Sequence, residues 1–329
     1  MSVEETIELP GPWALHHGEQ LDCARLGFRI EGPEGAPLVA ALGGISAHRR
    51  VAGNAAAAAR GDAWWSEVAG PGRALDTNRF RVLGIDYLGG AGDSTTPGSG
   101  VSFPALSAHD QAAALAVLVQ RLGLGHLHAI VGASYGGMVA LAFAARFPDH
   151  VERLLVLSAA HRAQALATAW RSVQRQIVRE ALARGDGVGG LRLARALAMT
   201  TYRSAGEFTT RFSGAPVRGA DRFRFPVEDY LFARGDRYVQ RYRPESFLAL
   251  SESIDLFAID PREVRTPTTL VSVRSDQLVP VADMRSLRDG LGGPARLVEI
   301  DSIYGHDAFL KEGAALQPIF EQALTETLQ

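Results

Sequence analysis

The chain has 329 residues, 47% of them hydrophobic and 21% charged, enough for one large domain with a sizeable core or a domain carrying an insert. The formal net charge of −2 and the absence of a basic block argue against a nucleic-acid or anionic-membrane partner. Cys23 is the sole cysteine, which excludes an intramolecular disulfide and argues against a structural zinc site. Met1-Ser2-Val3-Glu4-Glu5 is acidic and has no apolar core of a signal peptide, and no apolar run reaches membrane-spanning length. A soluble cytoplasmic protein is expected.

The first thirty-odd residues read as short strands and loops. Leu38–Leu42 reads as a buried strand ending at Gly43-Gly44, and Ala55–Ala59 as a small alanine tract in a loop or short helix. Phe80–Asp86 is a second strand, followed by a Gly- and Thr-rich loop from Gly89 to Gly100. Ser107–Leu122 has helical periodicity, with Ser107 as N-cap and Asp110 in the first turn. Leu127–Gly132 is a strand and Gly136–Phe147 a helix stopped by Pro148; Val151–Leu157 is the next strand. Strands alternating with helices predict an α/β fold with a mostly parallel sheet and helices on both faces. The alternation lapses between about Ala163 and Leu256, where Gln164–Ala183 and Leu191–Met199 are predicted helices. Strand character returns at Thr268–Val273 and Arg296–Ile300, and a last helix runs from about Phe309 to Leu328. The expected division is a core of 1–160 and 257–329 with a helical insert, or lid, of 161–256.

The most informative segment is Gly132-Ala133-Ser134-Tyr135-Gly136, set between a strand and a helix. This is the pattern of a nucleophile elbow, a tight turn that lifts a serine hydroxyl into the open. Glycines flank the serine because side chains there would crowd the turn. A serine nucleophile needs a base, and the base an orienting acid. Asp276 follows one strand and His306 another, separated from the serine and from each other by 142 and 30 positions. All three fall at the carboxyl edge of the sheet, where open α/β folds bind ligands. His48 and His161 are the alternatives for the base; neither fits the serine–acid–histidine order. Asp283 is the alternative acid, but it reads as lying inside a helix. The oxyanion donors are expected to be backbone N–H groups of Tyr135 and of the Gly43-Gly44 loop, with Gly43 the assigned donor.

Several stretches resemble the homoserine O-acyltransferase family of the α/β-hydrolase fold. They are Gly70-Pro71-Gly72, Asp76-Thr77, Arg79-Phe80, Phe103-Pro104-Ala105-Leu106-Ser107, Gly136-Gly137-Met138, Met199-Thr200-Thr201-Tyr202-Arg203-Ser204 and Gly305-His306-Asp307-Ala308-Phe309-Leu310. The resemblance covers most of the chain and implies an acyl-CoA-dependent transferase of methionine biosynthesis. By that resemblance Ser134 is the nucleophile, Asp276 the acid and His306 the base. Arg203 would hold the acceptor's carboxylate and Asp307 its ammonium, which suits a guanidinium and a carboxylate. The implied route is ping-pong through an acyl-serine, with acyl-CoA and L-homoserine as small-molecule substrates and no cofactor or metal.

The chain departs from the family at Ala133 and Tyr135, where Asn-Ser-Met is usual, and at Ala41-Leu42-Gly43-Gly44-Ile45-Ser46, where Ala-Leu-Thr-Gly is usual. Succinyl-using members resemble one another in carrying Arg two residues after the acid; here that residue is Leu278, which points to acetyl. Arg49 and Arg50 follow the oxyanion loop and are the candidate cations for a charged acyl tail, and the loop sequence resembles the succinyl branch. The balance favours succinyl. The competing readings are an acetyl donor, L-serine or a specialised alcohol as acceptor, an esterase or thioesterase, and a non-catalytic binding protein. A homodimer through the lid is implied by the family, with Trp170, Phe208 and Tyr230 as interface candidates.

Overall fold

In the computed structural model, residues 2–53, 60, 62–98, 103–326 and 328 are described. The Ala55–Ala59 tract and the end of the Gly89–Gly100 loop lie outside them. Numbering the main-sheet strands alone gives β1 (Ser2–Glu8), β2 (Arg25–Glu31), β3 (Leu38–Leu42), β4 (Arg81–Ile85), β5 (Ala129–Ala133), β6 (Leu154–Leu157), β7 (Thr268–Val273) and β8 (Ala295–Ile300). They form one sheet in the order β1-β2-β4-β3-β5-β6-β7-β8. The β1–β2 and β2–β4 pairs are antiparallel; every later pair is parallel.

Strand β5 shows why the middle of the sheet is buried on both faces. Its five residues Ala-Ile-Val-Gly-Ala are all buried and carry no polar side chain. Ile130 points into one core with Leu42, Met138 and Leu141. Ala129, Val131 and Ala133 point into the other, with Trp65, Leu155 and Phe320. Successive side chains leave a strand on opposite faces, so a strand covered on both sides reads as a continuous apolar run.

Helix α1 (Ala108–Arg121) begins where the sequence places it. The Asp110 carboxylate accepts from the Ser107 N–H at 2.7 Å and the Ser107 hydroxyl at 2.9 Å, and from the His16 N–H at 2.7 Å. Helix α2 (Tyr135–Arg146) follows β5 directly. Between β6 and β7 come α3 (Ala165–Ala183), α4 (Gly187–Tyr202), α5 (Ala205–Phe212), α6 (Pro226–Tyr238) and α7 (Pro244–Asp255). Asp255 of α7 pairs with Arg171 at 2.6 Å and Arg175 at 2.5 Å, joining it to α3. The last two helices are α8 (Val281–Gly290) and α9 (Gly313–Thr325).

The C-terminal helix differs from expectation. Residues Gly305–Leu310 form a separate 3₁₀ turn, and α9 starts only at Gly313. The Phe309 carbonyl accepts from the Trp65 indole at 2.7 Å rather than propagating an α-helix. No helix of the described residues is long and apolar enough to cross a membrane.

The join of β5 to α2 has no room for side chains. A Cβ on Gly132 would stand 2.3 Å from the Gly136 carbonyl oxygen, and one on Gly136 would stand 2.2 Å from the Leu42 carbonyl oxygen. Both obstacles are backbone and cannot rotate away. Gly132→Ala is therefore expected to destabilise the fold by about 1–3 kcal/mol, read as a fall of several degrees in Tm by circular dichroism.

Candidate active site

Ser134 joins β5 to α2 with φ 56° and ψ −122°. A non-glycine residue there carries strain of about 1–3 kcal/mol. The surroundings hold it in place. The Ser134 N–H donates to the Leu157 carbonyl at 2.9 Å, and the Ser134 carbonyl accepts from the Gly137 N–H at 2.9 Å. The turn is the predicted elbow, and the hydroxyl lines a cavity between sheet and helical insert.

His306 Nε2 lies 2.8 Å from Ser134 Oγ, and His306 Nδ1 lies 2.7 Å from Asp276 Oδ2. Asp276 is locked by its other oxygen, which accepts from the Leu278 N–H at 2.8 Å and the Val279 N–H at 3.1 Å. The loop-capping role of this aspartate and its contact with histidine are thus held at once by its two oxygens. Asp276 and His306 are both buried. Burial disfavours the imidazolium, but the Asp276 charge and hydrogen bond, with Asp307 beyond, outweigh it and raise the His306 pKa above the usual 6.5. The arrangement can take a proton from the serine hydroxyl and return it to a leaving group.

The alternatives lie elsewhere. His48 Nδ1 accepts from the Arg50 N–H at 3.2 Å. His161 Nδ1 is buried without a hydrogen-bond partner among the described residues. Asp283 sits in the first turn of α8, inside a helix as its sequence suggests.

In the loop after β3 it is Gly44, next to the expected Gly43, that meets the cavity. The Gly43 carbonyl accepts from the Gly136 N–H at 2.8 Å and the Tyr87 hydroxyl at 2.8 Å. In a trans peptide the next N–H points opposite to the carbonyl. The donor turned away from α2 is therefore that of Gly44, and Gly44, not Gly43, lines the cavity. A Cβ on Gly43 would meet Ala47 and Trp64 at 2.7 Å, so this glycine serves packing. Tyr135 also lines the cavity, at the start of α2.

Three tyrosine hydroxyls that sequence reading missed tie this region together. Besides Tyr87, Tyr242 of the insert donates to the Ile45 carbonyl at 2.8 Å. The Tyr135 hydroxyl lies 2.6 Å from Ser253 Oγ on α7. Nothing in the local sequence signals these contacts, which span 44, 197 and 118 positions.

The Tyr202-Arg203-Ser204 and Gly305-His306-Asp307 segments abut. Gly305 has φ +58°, and a Cβ on it would stand 2.8 Å from the Tyr202 carbonyl oxygen. Arg203 is buried and paired with Glu207 at 3.2 Å and Asp307 at 3.1 Å. Asp307 reaches the cavity wall, whereas Arg203 does not. Leu278 is buried on that wall.

Arg49 and Arg50 lie outside the cavity lining. Arg49 binds Asp86 at 2.7 Å, Glu4 at 2.9 Å and Asp93; Arg50 binds Glu4 at 2.8 Å. Neither lines the cavity. Their hydrogen bonds, Arg50 foremost, pull the Glu4 carboxyl down to about 2 against the opposing effect of burial. They fasten edge strand β1 to the loop after β3. Among the described residues no cluster of His, Cys, Asp or Glu is arranged to hold a metal ion.

A family profile described as alpha/beta hydrolase fold matches residues 53–313. The chain is 42% identical over 324 residues to a homoserine O-succinyltransferase of Xanthomonas campestris pv. campestris, covering 98% of this chain and 84% of that protein. It is 32% identical over 361 residues to a serine O-succinyltransferase of Litchfieldella anticariensis, covering 98% of each. Among solved structures, a homoserine O-acetyltransferase from Bacillus anthracis superposes with a TM-score of 0.90, covering 100% of this chain and 99% of that one at 20% identity, a likeness of fold alone. The fold is that of the α/β-hydrolases, and the protein is an enzyme of the acyltransferase class. Within that fold the chain belongs to the homoserine O-acyltransferase family.

A base must be neutral to accept the serine proton. Since the His306 pKa is raised, the imidazole stays protonated to higher pH, and the acid limb of kcat/KM is expected above pH 6.5. Asp276→Asn removes the charge that raises it and is expected to lower kcat by about 10³- to 10⁴-fold. A pH–rate series on both proteins checks this; an acid limb below 6.5 in the parent contradicts it.

Proposed function

We propose that the protein transfers an acyl group from an acyl-CoA thioester to the hydroxyl of L-homoserine through an acyl-Ser134 intermediate. One observation carries the reading: Ser134, His306 and Asp307 face one cavity, so a base and a carboxylate suited to an amino acid's ammonium stand side by side. The similarity to the Xanthomonas succinyltransferase along nearly the whole chain supports the acceptor.

In the first half-reaction His306 takes the Ser134 proton as Oγ attacks the thioester carbonyl. The tetrahedral oxyanion is received by the backbone N–H groups of Tyr135 and Gly44. The C–S bond breaks, and the proton on His306 leaves with the CoA thiol. In the second, homoserine enters with its ammonium toward Asp307, and His306 takes its hydroxyl proton. The alkoxide attacks the acyl-serine carbonyl, Ser134 Oγ departs with the proton from His306, and the O-acyl amino acid is released. Asp276 holds the imidazole in the orientation both halves need. The helical insert over the cavity limits access of water, the competing acceptor.

For the donor we favour succinyl-CoA over acetyl-CoA, on the strength of the same relative. Leu278 offers a succinyl tail no charge, and Arg49 and Arg50 are committed elsewhere. A serine acceptor is the second reading, supported by likeness to the Litchfieldella protein.

Incubation with each acyl-CoA, with and without L-homoserine or L-serine, while free thiol is followed, tests the proposal. Thiol release is expected to rise about tenfold or more with homoserine and to fall by about 10³-fold or more in Ser134→Ala. Equal thiol release with and without an amino-acid acceptor would mean a hydrolase.

A further inference from the structure

The Gly43–Gly44 peptide, whose N–H is aimed at the oxyanion in the proposed mechanism, lies between two glycines. Neither residue has a Cβ to restrict the torsions beside that peptide, so its plane can turn over at little steric cost. Packing does not hold it from the cavity side, since a Cβ on Gly44 would meet nothing within 4 Å. The carbonyl end is what is held. The Gly43 oxygen has two lone pairs, and it accepts from the Gly136 N–H at 2.8 Å and from the Tyr87 hydroxyl at 2.8 Å. Turning the peptide over would break both bonds and strand two buried donors.

Tyr87 is itself firmly placed. It lies just past the end of β4 and is buried. Both neighbours in the chain are anchored. The Asp86 carboxylate accepts from the Arg49 N–H at 2.9 Å and the Asp93 N–H at 3.0 Å. The Leu88 N–H donates to the Gln111 side chain at 2.9 Å, and the Leu88 carbonyl accepts from it at 2.8 Å. The Tyr87 ring meets that of Tyr135 edge to face, with centroids 5.1 Å apart and planes at 80°. One side chain thus touches both segments that carry the proposed oxyanion donors: the 43–44 peptide through its hydroxyl and Tyr135 through its ring. Burial pushes the Tyr87 phenol well above its ordinary pKa of 10, so the hydroxyl stays protonated and remains a donor. A hydrogen bond to the carbonyl also polarises the amide and strengthens the N–H at its other end.

Resting on the reading of acyl transfer at Ser134, we infer that Tyr87 is the positioning residue of the oxyanion site, its hydroxyl pinning the Gly43–Gly44 peptide with the N–H toward the cavity. The Gly136 N–H alone would leave the peptide free to tilt about a single bond. The pin serves both half-reactions, because each passes through a tetrahedral oxyanion at the same place. Tyr87 touches no substrate and moves no proton; it acts through the Gly44 N–H.

Tyr87→Phe removes the hydroxyl and keeps the ring. Its kcat for acyl transfer is expected to fall about 10- to 100-fold with KM changed by less than about twofold, since the loss falls on the transition state. The acid limb of the pH profile stays where it is in the parent, because His306 and Asp276 are untouched. A second readout isolates the oxyanion site. Nitrophenyl acetate is compared with its thiono analogue, in which sulfur, a weak hydrogen-bond acceptor, replaces the carbonyl oxygen. The parent is expected to prefer the oxo ester, and Tyr87→Phe to shrink that preference in kcat/KM about tenfold. A general loosening of the site lowers both esters alike and leaves the preference intact; that result, or an unchanged kcat, overturns the proposal. Tyr87→para-aminophenylalanine keeps a weaker donor at the same ring position and is expected to fall between parent and Tyr87→Phe. Where Tyr87→Phe does not fold, a preference in the aminophenylalanine variant equal to the parent's overturns the proposal. These esters acylate Ser134 whatever the natural donor and acceptor are. Thiol release indifferent to amino acids, with the preference reduced in Tyr87→Phe, ends the transferase reading and upholds the role of Tyr87. Homoserine-stimulated thiol release with the preference unreduced does the reverse.

Discussion

Everything around Ser134 depends on one crowded backbone crossing. The end of β3, the turn at Ser134 and the start of α2 approach so closely that Gly132 and Gly136 have no space for a Cβ. That closeness fixes the unfavourable φ of Ser134, since its neighbours leave no other path for the chain. It also fixes the loop after β3. The Gly136 N–H that belongs to the elbow ends on the Gly43 carbonyl, and this sets the direction of the Gly44 N–H. The Ser134 turn and the direction of the Gly44 N–H are thus two consequences of one packing constraint.

The helical insert is bound into the same constraint through tyrosine hydroxyls. Tyr242 holds the Ile45 carbonyl, and Tyr135 reaches Ser253. These side chains are buried, where a single hydrogen bond from the hydroxyl replaces a hydration shell that is no longer available. The departure at Tyr135 thereby has a structural meaning: it gives the elbow a polar handle on α7. The cavity so formed sorts its cations by partner. On its wall Arg171 has a carboxylate of its own, and Arg195 has aromatic faces instead.

Helix and strand positions were largely legible because short-range rules set them. The continuous apolar run of β5, the Ser107–Asp110 start of α1 and the Pro148 stop after α2 each need only a few consecutive residues. The 309–312 segment was misread because its turn answers to Trp65, more than two hundred positions away. The pairings of the arginines were not legible for a related reason. A guanidinium has a long reach and binds whichever carboxylate the fold brings near, and no spacing rule announces Glu4 to Arg49 or Glu207 to Arg203.

By itself, the sequence determined the elbow, the order serine–acid–histidine and the alternation that makes a parallel sheet. These are properties of local backbone conformation and of chain order, which a sequence states directly. Only the tertiary structure decided the distances that join Ser134, His306 and Asp276. It also decided which glycine of the pair at 43–44 faces the cavity, and which arginine of its wall is held by a carboxylate. Those depend on the direction of a peptide plane and on pairings between distant segments, and neither exists until the chain has packed.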